Sequence, residues 1–234
     1  MKTRSSGFYI GLIVAIILGF GVVAGVVLIL RSDGGVGYEP DVLRATKTGP
    51  NTATLDISTF PDSMVCHSDA PNPEIGWVTY CPSTNWELPA NSVITVTINQ
   101  YDSASGLYND FFSKVQGTVG GTAMYNGKPM GQINPDDAAH TLTIQSVPNE
   151  QNPIFVSVPL LGVPDNAPNA VTVNGNPYPK PNVIQFQFRT GPAGHTYIWH
   201  CYVPCGNDRK SPYGFSGPMA TTGYMAGQIT VTNF

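Results

Sequence analysis

The chain has 234 residues, a formal net charge of −4 and only 11% charged residues. Residues 32–234 hold eight Lys or Arg and fifteen Asp or Glu. They offer no clustered basic surface, so a nucleic-acid partner is not expected. The 25 glycines and 21 prolines favour a loop-rich β protein over a helical one. The sequence has no nucleophile–base pair, carboxylate pair or phosphate loop that we can assign, so we do not expect the chain to be catalytic alone.

An uncharged segment, Gly7–Leu30, dominates the N-terminal region. Its 24 residues are long enough to cross a bilayer as a helix, since about 20 apolar residues suffice. The apolar core of a cleaved signal peptide is usually shorter, about 7–15 residues. Lys2 and Arg4 precede the segment, and basic flanks stay in the cytoplasm. We therefore predict a single-pass anchor in the cell membrane over residues 1–31, with a cytoplasmic N-terminus and an extracytoplasmic C-terminal domain.

The rest of the chain divides into a linker and one domain. Residues 32–50 lack sustained periodicity and carry Gly and Pro at both ends, which predicts a linker. Residues 51–234 contain short alternating runs bounded by turn residues, a pattern typical of an all-β sandwich. The predicted strands are Thr52–Ile57, Val93–Gln100, His140–Gln145, Ile154–Val158, Ala170–Val173, Val183–Phe188, Thr196–Val203 and Gln228–Asn233.

Two stretches, 61–89 and 101–136, are longer than a small sandwich requires, and we interpret them as insertions. The first contains Cys66 and Cys81. Because disulfides persist outside the cytoplasm, this pair is predicted to be bonded. The second contains a predicted hairpin and, at Tyr108–Val115, a possible short helix.

Three motifs near the C-terminus carry a family resemblance. Residues 201–206, CYVPCG, resemble the dinuclear copper loop of cytochrome oxidase subunit II. Residues 199–201, WHC, resemble the copper strand of nitrite reductases and multicopper oxidases. Residues 224–231, YMAGQITV, are similar to the last strand of blue copper proteins. The domain thus resembles the cupredoxin superfamily, and subunit II of haem–copper oxidases within it, which implies a Greek-key β-sandwich.

The resemblance also implies a copper site. Blue copper is held by two imidazoles, one thiolate and a long axial thioether. His140 fits the first imidazole position, because a polar turn leads directly from it into an alternating strand. Cys201 fits the thiolate position and Met225 the axial position.

The second imidazole is missing from both patterns. The nitrite-reductase pattern places it at Ala220, and the oxidase pattern places it at Asp208 or its neighbour. His200 adjoins Cys201 on a strand, so its side chain points to the opposite face. His195 lies six residues before Cys201, which places it about 20 Å away along an extended strand.

Two states of the site remain open at this point. If copper is bound, His140, Cys201, Cys205 and Met225 are the candidate ligands. Otherwise Cys201 and Cys205 bond to each other, or stay metal-free, and the cofactor is absent. We predict the metal-free state, because a strong imidazole donor is lacking and the compartment favours oxidation of Cys205.

Together with the predicted anchor, the resemblance to subunit II implies a membrane-anchored, extracytoplasmic cupredoxin-like subunit of a respiratory terminal oxidase complex. It would serve as a structural or docking subunit, or transfer electrons through an altered copper site. Its partners would be the membrane and integral-membrane respiratory subunits. The alternatives are a stand-alone membrane-anchored blue-copper carrier similar to sulfocyanin, and a non-redox cell-surface β-sandwich for adhesion or assembly.

Overall fold

The computed structural model describes residues 41–66, 77–204 and 217–234. The predicted anchor, residues 1–31, lies outside these ranges and stays a prediction. Across the described ranges, no helix is long and apolar enough to span a bilayer.

The described residues form β-strands joined by loops and single 3-10 turns. The strands are β1 (Val42–Arg44), β2 (Thr46–Gly49), β3 (Thr52–Phe60), β4 (Thr79–Cys81), β5 (Asn85–Pro89), β6 (Val93–Gln100), β7 (Ala123–Tyr125), β8 (Lys128–Met130), β9 (Ala138–Ser146), β10 (Phe155–Leu161), β11 (Asn169–Val173), β12 (Asn176–Pro179), β13 (Asn182–Arg189), β14 (Thr196–His200) and β15 (Ala226–Thr232). The 3-10 turns are Ser63–Val65, Asp110–Ser113, Val119–Gly121, Pro135–Asp137 and Gly217–Ala220.

The strands build two large sheets and one small one. The six-stranded sheet has the order β1-β5-β15-β14-β9-β10, and the seven-stranded sheet has the order β2-β3-β6-β13-β7-β8, with β4 beside β3. β11 and β12 pair as a separate hairpin. Most neighbours are antiparallel, but β1 with β5, β3 with β6 and β5 with β15 are parallel. A parallel pair needs a crossover connection. Here the chain makes each crossover by entering the other large sheet and then returning.

The core joins the inner faces of the two large sheets. Side chains alternate along β6 and β13, so that every second residue is buried, as expected for strands with one face on a core. Residues from both sheets belong to a single apolar cluster, among them Leu55, Ile94, Val96, Ile98, Ile184, Phe186, Phe188, Leu142, Ile144, Trp199, Ile229 and Val231. The described residues thus form a β-sandwich without α-helices, in which two sheets enclose one core.

The segment 101–136 contacts β10 of the six-stranded sheet. Gln116 and Ser157 exchange two backbone hydrogen bonds of 2.8 and 3.0 Å. The Tyr125 hydroxyl donates to the carbonyl of Pro159 at 2.8 Å. β9, the neighbour of β10, is buried on both faces over its first seven residues. This burial matters for the candidate site, because His140 belongs to β9.

Each of the eight predicted strands is present, with ends that differ by a few residues. The predicted hairpin in the second insertion is β7–β8. Over Tyr108–Val115 only a 3-10 turn forms, at Asp110–Ser113. The predicted disulfide between Cys66 and Cys81 is also present, with the two Cα atoms 5.9 Å apart.

Two predicted boundaries differ from the structure. The C-terminal part of the predicted linker 32–50 forms β1 and β2, because neighbouring strands supply hydrogen-bond partners that the local sequence does not reveal. The predicted insertion 61–89 contributes β5 to the six-stranded sheet, where it lies between β1 and β15. Trp86 and Leu88 on β5 are buried in the common core, so residues 85–89 are a framework strand.

Candidate metal centre

Two neighbouring strands bring His140 and Cys201 together. His140 is the third residue of β9, and Cys201 directly follows β14. The two strands are antiparallel neighbours, with His200 opposite Thr143. Along β14 the alternation buries Tyr197 and Trp199, and Cys201 continues their buried face. The sheet register therefore places both side chains in one interior region.

The facing atoms are the Nδ1 of His140 and the Sγ of Cys201, which are 3.9 Å apart. The backbone N–H of Thr141 donates to the same sulfur at 3.4 Å. The sulfur also lies 3.6 Å from the carbonyl oxygen of Val203. His140 is 0% exposed and Cys201 is 1% exposed, so the pair is shielded from solvent.

The other ring nitrogen of His140 binds a carboxylate. Nε2 lies 3.0 Å from Oδ2 of Asp102, whose side chain is 14% exposed. Burial is the largest influence on the His140 pKa and lowers it, because burial disfavours the charged imidazolium. Hydrogen bonds to Asp102 and Cys201, and the negative charges of both, outweigh burial and raise the pKa to about 9.

Backbone hydrogen bonds connect Met225 to Cys201 and to Pro218. The N–H of Cys201 donates to the carbonyl of Met225 at 2.9 Å, and the N–H of Met225 donates to the carbonyl of Pro218 at 3.0 Å. Met225 and Met219 are both buried in the core cluster that contains Cys201. Ala220, where one copper-protein pattern requires an imidazole, is exposed at the end of the turn Gly217–Ala220.

The remaining described histidines are engaged elsewhere. His200 is half-buried beside the ring of Tyr202, and burial lowers its pKa. The Nδ1 of His195 lies 2.6 Å from Oε1 of Glu150, and its Nε2 lies 2.9 Å from the amide nitrogen of Asn152.

Part of the predicted site cannot be compared with the structure. Cys205 and Asp208 lie outside the described residues. The predicted Cys201–Cys205 bond and the role of Cys205 as a ligand therefore stay predictions. Within residues 41–66, 77–204 and 217–234, no group of three or more His, Cys, Asp or Glu side chains is arranged to hold a metal ion.

The order Cys201–His140–Asp102 is also that of a nucleophile, base and orienting acid. Covalent catalysis requires that a substrate reach the nucleophile within hydrogen-bond distance of the base. The sulfur and the imidazole are both almost without exposed surface. This arrangement favours a buried binding site over a hydrolytic one.

The donor set fits a thiophilic transition metal in part. Metal–nitrogen and metal–sulfur bonds in proteins are about 2.0–2.3 Å long. Because two such bonds together exceed the 3.9 Å between Nδ1 and Sγ, one ion can be reached from both atoms. Met225, the residue before β15, is the candidate thioether donor, and its carbonyl accepts from the N–H of Cys201. A soft thiolate and thioether with one imidazole suit copper better than magnesium or calcium, which prefer oxygen ligands.

Asp102 is the functional candidate that the sequence did not indicate. It lies two residues beyond β6, in a polar segment that is typical of an ordinary turn. Nothing in its neighbourhood along the chain points to His140, which is 38 residues away. Only the fold brings the two side chains together.

No protein-family model and no curated protein matches the sequence. Among solved structures, a multicopper oxidase aligns with a TM-score of 0.32 and 13% identity, over 84% of this chain and 48% of that chain. A copper-containing nitrite reductase (NirK) from Thermus scotoductus SA-01 aligns with a TM-score of 0.29 and 8% identity, over 76% of this chain and 30% of that one. The chain thus spans less than half of either protein. At these TM-scores, the description of the fold rests on the strand order and the core.

Proposed function

We propose that the chain is a cupredoxin-like copper domain, anchored in the cell membrane on its extracytoplasmic side, that transfers electrons within a respiratory terminal oxidase. The observation that carries the proposal is the buried pair of His140 and Cys201, whose Nδ1 and Sγ atoms face each other at 3.9 Å. The uncharged segment Gly7–Leu30 supports the membrane location. The likeness of residues 201–206 to the subunit II copper loop supports the assignment to an oxidase.

Copper bound at this position would supply reversible one-electron chemistry. His140 would donate through Nδ1 and Cys201 through Sγ, with the Met225 thioether as a weaker donor. The N–H of Thr141 points to the sulfur, and such a hydrogen bond stabilises negative charge on a thiolate. The surrounding β9, β14 and β15 hold the three residues in rigid strands or directly beside them, which limits ligand movement when the charge changes.

The test is copper loading of the full-length protein in detergent. We expect one bound copper per chain and an intense visible absorption from the thiolate-to-copper transition. Cys201→Ser should abolish the absorption, and His140→Gln should weaken copper binding by at least tenfold. His195→Gln is the matched control, because that imidazole is held by Glu150 and Asn152 and should leave the spectrum unchanged. Absence of stoichiometric copper in the wild type would contradict the proposal.

A metal-free scaffold that docks redox partners, the state predicted from the sequence, is the second candidate. It is favoured by the number of nitrogen donors: in the described ranges, one imidazole, that of His140, faces the sulfur of Cys201. Peptide mapping without reductant distinguishes the two candidates. A Cys201–Cys205 disulfide in protein isolated from the membrane would support the scaffold and leave copper without its thiolate.

The stand-alone carrier and the adhesion module can be distinguished from an oxidase subunit by the cofactors that copurify with the chain. Solubilisation in mild detergent, followed by affinity purification, should retain haem if the chain belongs to an oxidase complex. A copper-loaded chain without haem would support a free electron carrier. A chain with neither copper nor haem would support a non-redox sandwich.

A further inference from the structure

We infer that Asp102 is a positioning residue, which orients the ring of His140 so that Nδ1 faces Cys201. This inference rests on the proposed function where it concerns copper. The contact that carries it is the 3.0 Å hydrogen bond between Nε2 of His140 and Oδ2 of Asp102. With Nε2–H bound to the carboxylate, the lone pair of the neutral ring is on Nδ1, the nitrogen that lies 3.9 Å from the sulfur.

Asp102 is itself held in place by several hydrogen bonds. Its Oδ1 accepts from the N–H of Ser103 at 2.8 Å. Its backbone N–H donates to Oε1 of Gln100 at 3.2 Å, and its carbonyl accepts from Nε2 of Gln100 at 3.0 Å. The same carbonyl accepts from the N–H of Val163 at 2.9 Å.

Gln100 extends this support into the interior. Its side chain is fully buried, and its Oε1 also accepts a hydrogen bond from the hydroxyl of Thr59. Gln100 ends β6 and Thr59 lies opposite it on β3. The orientation of Asp102 is thus set by two strands of the seven-stranded sheet, whereas His140 belongs to the six-stranded sheet. A residue whose only role was to form the turn would not require hydrogen bonds that extend through Gln100 into the interior.

The chemistry follows from the hydrogen bond. A histidine that binds a metal through one nitrogen usually donates its other N–H to a carboxylate or carbonyl, which fixes the tautomer and raises the basicity of the ligand. Loss of such a partner typically lowers metal affinity by 10–100-fold. If copper is bound, the negative charge of Asp102 would also stabilise its oxidised, more positive form, and removal of this charge should raise the reduction potential.

Two variants and one control test the inference. Asp102→Ala removes both the charge and the acceptor. Asp102→Asn removes the charge but keeps one oxygen. The fully buried Nε2–H should take this oxygen, because the backbone N–H of the partly exposed Ser103 can bind water instead. Asp165→Asn removes an exposed carboxylate that lines the same surface cleft of about 290 Å³ as Asp102. It therefore controls for the general loss of a nearby negative charge.

The first readout is the Nε2–H signal of His140 in 15N-resolved NMR of the metal-free protein. We expect a slowly exchanging signal in the wild type, in Asp102→Asn and in Asp165→Asn, and loss of the signal in Asp102→Ala. The second readout is copper. Affinity should fall 10–100-fold in Asp102→Ala and recover largely in Asp102→Asn, whose reduction potential should exceed that of Asp165→Asn.

A protected Nε2–H signal in Asp102→Ala, or equal potentials in Asp102→Asn and Asp165→Asn, would overturn the inference. If Asp102→Ala does not fold, the reduction potentials of Asp102→Asn and Asp165→Asn decide the question. If no protein binds copper but the NMR result is as expected, the positioning role stands and the proposed function fails.

Discussion

His140 is a buried imidazole between a carboxylate and a sulfur, and its protonation must therefore affect the stability of the metal-free protein. Its pKa in the folded state is about 9, above the value of about 6.5 for an unfolded histidine. A group whose pKa is raised by folding stabilises the protein fully below the unfolded value, and this contribution is lost as the pH rises through the folded value.

The free energy of unfolding of the metal-free protein should thus contain a His140 contribution that disappears between about pH 6.5 and about pH 9. Chemical denaturation of the wild type and of His140→Gln across this range measures it. The difference between the two proteins should be larger at the acidic end. A difference that grows toward alkaline pH would show that the imidazolium is not favoured in the fold.

At the scale of elements, β14 and β15 meet at a position where only glycine fits. Gly227 lies opposite Trp199. A Cβ on Gly227 would overlap the carbonyl of Thr84 and lie 2.7 Å from Nε1 of Trp199. These two atoms share a hydrogen bond of 2.9 Å. Trp199 is also stacked on Trp86, with ring centroids 4.8 Å apart.

Gly227→Ala should therefore destabilise the protein by about 1–3 kcal/mol or more, since overpacking forces a buried core apart. The matched control is Gly131→Ala, whose Cβ would meet its nearest neighbour, the carbonyl of Gly121, at 3.8 Å. Thermal unfolding of both variants gives the comparison. Equal melting temperatures of the two variants would show that the residues around Trp199 can move to accommodate the Cβ without loss of stability.

The sequence predicted the strands with the clearest alternation because one face of each strand is buried. β6 was predicted with its observed bounds. β5 was not predicted, since Asn85–Pro89 is short, contains a proline and follows a turn. Its strand conformation comes from its neighbours β1 and β15. Long-range pairing of this kind has no local signal.

The residues of the candidate site could likewise be predicted only in part. His140 and Cys201 could be selected because residue type and strand position agree with a known ligand pattern. Asp102 could not, since a polar residue after a strand is common in turns. Its role depends on the approach of a turn after β6 to a residue of β9, which belongs to the other large sheet.

At the scale of the whole molecule, the Cys66–Cys81 disulfide closes a loop with a sequence separation of 15. Removal of such a bond should lower the free energy of unfolding by about 2–4 kcal/mol, largely because the unfolded chain gains freedom. Denaturation of a Cys66→Ser/Cys81→Ser double variant measures the loss, and the wild type with excess reductant should behave like the variant. Unchanged stability in both samples would mean that the 3-10 turn and β4 hold the loop without the bond.

The predicted anchor can be tested on the whole chain as well. We expect the protein to remain in the membrane fraction after alkaline carbonate extraction, with residues 1–31 retained. Deletion of residues 1–31 together with addition of a cleavable export signal should release the domain in soluble form. N-terminal sequencing that finds a mature start beyond residue 30 would contradict the anchor.

The parallel pairing of β5 with β15 has a consequence for biosynthesis. Trp86 on β5 aligns with Ile229 on β15, so about 140 residues separate partners that must meet in one sheet. β15 also lies between β5 and β14, and formation of long-range contacts of this kind is slow. During synthesis, the edges of β5 and β14 that later bind β15 stay unpaired until β15 has been made. Because the N–H of Cys201 bonds to the carbonyl of Met225, the region around Cys201 forms only at that final stage, and any metal would have to bind after β15 has been synthesised.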